Sequence, residues 1–273
     1  MYMYEHFKNI KNLYGKTYVQ LPNGIFKDLA KIKQNIQQVS FCFSYLVTIS
    51  FLYKYAHFVD VDNGTYIQNG DIKQILGYNP KTKSVDKFIK KNGVLEELGL
   101  ISSTKDYPVE VEYTEEQINN VNMREFKTVS MLSADNIHYS MIKEIVKNRN
   151  YEIREPLFFF EYDDEVGTLY NYENTFEITL DEFMLFVYDK DLDNTDFFLY
   201  CYFKSRCYGL KDNMKQIALD NIVSDLCIGK DSFYLHLDKL KDRGFVNVNH
   251  KGWRTGEKEG EIEANDYYFK GIR

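Results

Sequence analysis

The sequence predicts an α+β chain, mainly helical, built from one module used twice. Three observations carry this. Apolar residues recur at helical spacing in two separated stretches: Ile67, Ile72 and Leu76 repeat the spacing of Ile217, Ile222 and Leu226. Each stretch closes on a glycine followed by an apolar run, Leu98-Gly99-Leu100-Ile101 and Arg243-Gly244-Phe245-Val246. The correspondence also extends upstream, where Tyr18 to Phe26 matches Phe176 to Met184 and the aromatic run from Val39 matches Thr195 to Tyr208.

A length of 273 residues suits two domains, which we set at 1–150 and 151–273, with the boundary in the polar stretch 148–155 before Pro156. Tyr18 to Pro22 reads as a short strand, and Ile25, Phe26 and Leu29 begin a helix. Val39 to His57 is an apolar core helix, interrupted by Ser, Thr, Lys and His and so unlike a membrane span. Asp62-Asn63-Gly64 is a turn. Asn79-Pro80 then supplies an N-cap and a first-position proline for a helix over 79–92. Tyr107 to Tyr113 and Phe126 to Leu132 alternate as two strands, and Thr114 to Gln117 between them has the form of a capping box for a helical tip. Ala134 to Val146 has helical spacing, and residues 156–172 form two aromatic strands around an acidic turn. In the second half, one short helix carries Ile217, Ile222 and Leu226, Gly229 marks a turn, and Phe233, Leu237 and Leu240 line a second helix. Residues 250–273 make a Gly-rich hairpin with the sole tryptophan at its base.

The net charge of -7 hides an uneven distribution. Residues 1–106 carry 14 Lys against 9 Asp and Glu, residues 107–200 carry 7 basic against 21 acidic residues, and residues 201–273 carry 13 against 11. The acidic surplus therefore lies between the two helical pairs, where a polyanion need not approach. Four cysteines without CxxC spacing read as buried free thiols in a reducing cytoplasm. No phosphate-binding glycine loop, paired-histidine metal motif or nucleophile elbow occurs, and Glu161 with Asp163, Asp164 and Glu165 reads as a solvated turn. The expectation is a non-enzymatic protein with no cofactor and no metal.

With Val85 and Ile89 turned inward, Lys83, Lys87 and Lys90 fall on the opposite face, flanked by Lys81 and Lys91. Ammonium groups in that pattern suit phosphate contact, and Thr82 and Ser84 suit base edges. In the second half Lys230, Ser232, Tyr234 and Lys239 flank an outward face of Asp231, Leu235, Asp238 and Asp242, and Lys251 and Arg254 lie on the hairpin.

Two short helices, a tight turn, then a strand and a polar hairpin resemble the winged helix-turn-helix. The duplication resembles tandem winged-helix proteins, in particular plasmid and phage replication initiators, over residues 18–104 and 176–270. The resemblance implies two winged helix-turn-helix domains in tandem with β-hairpin wings. It implies double-stranded DNA contact from Lys83, Ser84, Lys87 and Lys90, and from Lys230, Ser232 and Tyr234. A replication initiator is the leading expectation, with a homodimer or a replication or transcription protein as further partner and no membrane. A transcriptional regulator using the same contacts, and an interaction adaptor whose winged helices no longer bind DNA, are the alternatives.

Overall fold

The computed structural model describes residues 2–118, 121–147, 149–157, 160–162, 168–170, 174–251 and 264–272. In chain order the elements begin α1 (Tyr2–Tyr14), β1 (Tyr18–Pro22), α2 (Ile25–Ala30), α3 (Ile36–Lys54), β2 (Val59–Asp60) and β3 (Thr65–Tyr66). Next come α4 (Asn69–Ile75), α5 (Asp86–Ile89), α6 (Val94–Glu97), β4 (Ile101–Thr104), β5 (Pro108–Ile118) and β6 (Val121–Thr128). They continue as α7 (Ile137–Ile145), β7 (Ile153–Pro156), β8 (Phe160–Tyr162), β9 (Thr168–Tyr170), β10 (Thr175–Thr179), α8 (Leu180–Tyr188) and α9 (Asn194–Cys207). The last are β11 (Met214–Ile217), α10 (Leu219–Leu226), α11 (Lys230–Asp242), β12 (Val246–Asn249) and β13 (Asn265–Phe269). The class is α+β with small antiparallel sheets.

Two compact units emerge, Met1–Pro22 with Tyr45–Leu180 and Asn23–Ser44 with Asp181–Arg273. The expected division at 148–155 is corrected, because β4 pairs with β7 from Ile101↔Pro156 to Thr104↔Ile153 and binds that stretch into the first unit. Among the described residues α3 is the one helix long and apolar enough to cross a membrane, and 89% of its apolar window is buried inside the protein.

In the first unit β1 pairs antiparallel with β10, Tyr18 opposite Thr179 and Leu21 opposite Phe176. Tyr18 corresponds to Phe176 in the internal repeat and Leu21 to Thr179, so exchanging the two copies leaves this register unchanged. Buried below β1, the Lys54 ammonium lies 3.6 Å from the Tyr18 ring centroid, where the π face compensates part of its lost hydration. His6 Nε2 donates to the His57 carbonyl at 2.8 Å, and its Nδ1 lies 3.6 Å from the buried Asp60 carboxylate. Asn63 donates to the same carboxylate through its backbone N–H at 3.1 Å and its side chain at 2.8 Å, which closes the Asp62-Asn63-Gly64 turn.

Two predicted helical features of this unit are corrected. The helix over 79–92 reduces to the single turn of α5, followed by the separate turn of α6. Asn79 Oδ1 accepts from the Lys81 amide and its carbonyl accepts from Thr82, so Asn-Pro makes a turn here and not a helix start. At Gly93 a Cβ would meet the carbonyls of Lys90, Lys87 and Phe88 at 2.7, 2.8 and 3.0 Å, an approach that only glycine permits and that separates α5 from α6. The capping-box reading of Thr114 to Gln117 gives way to β5, which continues through those residues in a bulged ladder with β6. The acidic turn 163–165 lies outside the described residues.

The second unit is centred on aromatic contacts among Phe26, Phe43, Phe197, Phe198 and Tyr202, with ring centroids 5.1 to 5.6 Å apart. Burying each such ring contributes about 1.5–3 kcal/mol. Its helices and strands follow the order α9, β11, α10, α11, β12, β13, and the sheet order is β11-β13-β12. Ile217 ends β11 and does not join the following helix as expected, since it pairs with Asn265 of β13. Gly244, at φ +73°, follows the last turn of α11 as the sequence indicates. Cys42, Cys201 and Cys207 are buried thiols, but Cys227 caps α10 in the left-handed region and is exposed, a correction to the expectation that all four are buried.

Burial acts to raise the Asp60 pKa, but hydrogen bonds from His6 and Asn63 outweigh it and hold the carboxyl below its ordinary 3.8. A depressed carboxylate stabilises the fold above its unfolded pKa and loses that contribution as pH falls through the folded value. Asp60→Asn is therefore expected to cost about 2 kcal/mol at neutral pH, the scale of hydrogen bonds to a charged group. The gap to the parent should narrow below pH 3.8 in urea titrations, and parallel pH profiles would refute the assignment.

Candidate nucleic-acid interface

In the first unit the segment from Lys81 to Lys91 is shaped from beneath by Lys73 of α4. That side chain is 5% exposed, and its ammonium reaches the Thr82 carbonyl at 2.8 Å, the Pro80 carbonyl at 3.4 Å and the Asp86 carboxylate. A buried ammonium needs such partners, and here they are the backbone of the lysine-bearing loop itself. The interaction also draws Asp86, the one acidic residue of the segment, toward Lys73.

Lys81, Lys83, Ser84, Lys87, Lys90 and Lys91 are exposed, and Thr82 is half-buried with its carbonyl on Lys73. These exposed residues lie on a chain of turns around α5 instead of a regular helix. Lys87 Nζ lies 4.7 Å from the Phe88 ring centroid, beside a buried aromatic that anchors the turn. Lys91 is diverted in part, with its Nζ 3.4 Å from Glu152.

The expected contacts of the second unit fare differently. Lys230 is exposed and paired with Asp220 at 3.1 Å, Ser232 is half-buried, and Tyr234 is 40% exposed beside Phe233. Lys239 is half-buried and paired: its Nζ lies 3.0 Å from Asp196 Oδ2 and 3.7 Å from Asp193. Burial lowers its proton affinity, but the two aspartates outweigh this and raise its pKa. Lys251 likewise turns to Asp266, 3.0 Å away, and Arg254 lies outside the described residues. On the outward side of α11 Asp231, Leu235 and Asp238 are exposed.

Asp193, Asp196 and His236 stand close enough to hold a metal ion. Their donors are engaged with one another and with Lys239. Asp196 Oδ1 accepts from His236 Nδ1 at 2.7 Å, and its Oδ2 takes Lys239 and the Asp193 amide at 2.9 Å. Asp193 in turn accepts from the Thr195 and Asp196 amides, so the cluster is the capping network of α9. Sequence reasoning missed this network because His236 and Asp196 lie 40 residues apart.

Lys73→Met should leave the carbonyls of Pro80 and Thr82 and the Asp86 carboxylate without their donor. We expect a loss of about 2 kcal/mol in stability and faster amide exchange at Thr82 and Asp86, whose turn hydrogen bonds close the loop. Unchanged exchange at both amides would show that the loop holds its shape without Lys73.

No protein-family model matches the chain, and no curated protein or solved structure matches it either.

Proposed function

We propose that this chain is a sequence-specific double-stranded DNA-binding protein composed of two winged helix-turn-helix units, acting as a replication initiator of a plasmid or phage. The observation that carries the reading is the exposed group Lys81, Lys83, Lys87 and Lys90, whose one acidic neighbour in the segment, Asp86, is paired with Lys73. Several ammonium groups at this spacing can each displace a condensed counterion from DNA, which is the main source of affinity for a duplex. Ser84 and Thr82, between the lysines, supply hydroxyls for base edges.

The order of elements in the second unit supports the winged-helix part. Helix, strand, helix, helix, strand, strand, with the first strand against the third, is the arrangement that places α11 and the β12–β13 hairpin side by side. The initiator role rests on the internal duplication and on the resemblance described above. A second reading, a protein-interaction adaptor, is favoured by one feature: the outer face of α11 joins Asp231 and Asp238 to Leu235, which is 60% exposed. Such a surface suits a basic, partly apolar protein partner better than phosphate.

Replacing Lys83, Lys87 and Lys90 together by alanine should weaken binding to every duplex and lower the slope of log K against log salt by up to about 2.7, at about 0.9 per phosphate contact. Fluorescence anisotropy across a potassium chloride series measures this. Binding that keeps its affinity and slope places the DNA contact elsewhere, and no binding by the parent at low salt favours the adaptor.

A further inference from the structure

The second unit contains another basic surface, away from the residues the sequence singles out. A cleft of about 400 Å³ is lined by Lys27 of α2, Tyr202 and Arg206 of α9, Lys215 of β11, and Asn221, Ser224 and Asp225 of α10. We propose that this cleft is a phosphate-binding site, and that it, not the outer face of α11, is where the second unit meets a polyanion. The polyanion part rests on the DNA-binding reading above; the phosphate site does not.

Three cations line the cleft with a single carboxylate, Asp225. That carboxylate is engaged on one oxygen by Arg206 Nη2 and the Tyr202 hydroxyl, both at 3.0 Å. The acidic residues nearby on α2 and α10 are held by cations outside the cleft, Asp28 by Lys31 at 2.6 Å and Asp220 by Lys230 at 3.1 Å. Lys27 and Lys215 are exposed and, among the described residues, no carboxylate lies within ion-pair distance of either. By contrast, Lys230, Lys239 and Lys251, expected to contact DNA on or near α11, each have a carboxylate within ion-pair distance.

The donor set suits phosphate in particular. Arg206 is fixed by Asp225 and by the face of Tyr202, whose centroid lies 5.2 Å from the guanidinium carbon, so its planar fork is oriented before any ligand arrives. Asn221 and Ser224, both exposed on the same helix, add neutral donors for the remaining oxygens of a tetrahedral anion. A phosphodiester of a duplex and the phosphate of a small ligand share this chemistry.

The test uses the full chain, the double variant K27Q/K215Q, and K190Q/K211Q as a control that removes two exposed cations of the same unit outside the cleft. Two probes are read: a mixed-sequence duplex by anisotropy across a salt series, and inorganic pyrophosphate by calorimetry at low salt. We expect K27Q/K215Q to melt as the parent does and to lower the duplex salt slope by about 1.8, at about 0.9 per contact, with a smaller change in the control. A slope change without pyrophosphate binding assigns the site to the nucleic-acid backbone. Pyrophosphate binding that is lost in K27Q/K215Q, with duplex binding unaltered, assigns it to a small phosphorylated ligand. If the parent binds no duplex, the DNA reading fails alone and the pyrophosphate measurement still decides the cleft. Equal behaviour of cleft variant and control on both probes overturns the proposal.

Discussion

A charge withdrawn from water must meet an opposite charge or a set of hydrogen-bond partners, and this constraint decides which cations of this acidic chain can face outward. Lys204 and Glu182 satisfy each other at 2.6 Å inside the second unit, and the fully buried Asp196 takes His236 and Lys239. In the first unit Asp60 takes His6, and Lys73 takes Asp86 with two carbonyls. The positive surface is what remains after these internal demands are met. Lys73 shows the coupling most directly, because its buried ammonium ties down the loop that carries the exposed lysines and pairs with their acidic neighbour Asp86.

Much of the second unit was legible because its signals are local. The apolar spacing of Phe233, Leu237 and Leu240 gives the buried face of α11, and Gly244 occupies the left-handed position that the end of that helix requires. The strand β1 and the helix α2 were legible for the same reason. What escaped was non-local. Lys73 reads in isolation as a solvated residue of a short helix, and only its burial reveals that the loop after Asn79 is built around it. The separation of α5 from α6 at Gly93 depends on a close approach of backbone to three carbonyls, which leaves no mark in side-chain periodicity. Strand β11, with Lys215 and Gln216 at its centre, lacks an apolar alternation and forms because β13 lies beside it.

The candidate site divides along the same line. The sequence identified which residues carry positive charge but not which carboxylate each would meet. Lys239 and Asp196 are 43 residues apart in the chain, and α9 brings Asp196 to α11 only after both helices pack. For Lys83 and Lys90 the omission had no consequence, since they remain exposed. Lys239 and Lys251 instead meet Asp196 and Asp266, each at 3.0 Å.

The contrast between α11 and the cleft can be weighed by magnitude. Two unit charges about 4 Å apart in water interact by about 1 kcal/mol, and more where solvent is partly excluded. A phosphate brought against α11 meets the exposed Asp231, with Asp238 offset in part by Lys241 at 2.9 Å. In the cleft, by contrast, Lys27 and Lys215 offer attractions of that size around one compact volume, with Arg206 offset in part by Asp225. Each phosphate that displaces a counterion adds an entropic gain that a carboxylate face does not provide. Among the described residues of the second unit, internal pairing therefore takes up Lys230 and Lys239 of α11 but leaves Lys27 of α2 and Lys215 of β11 exposed without a carboxylate. The position of a cation on the chain does not decide its availability; the carboxylates that packing brings to it do.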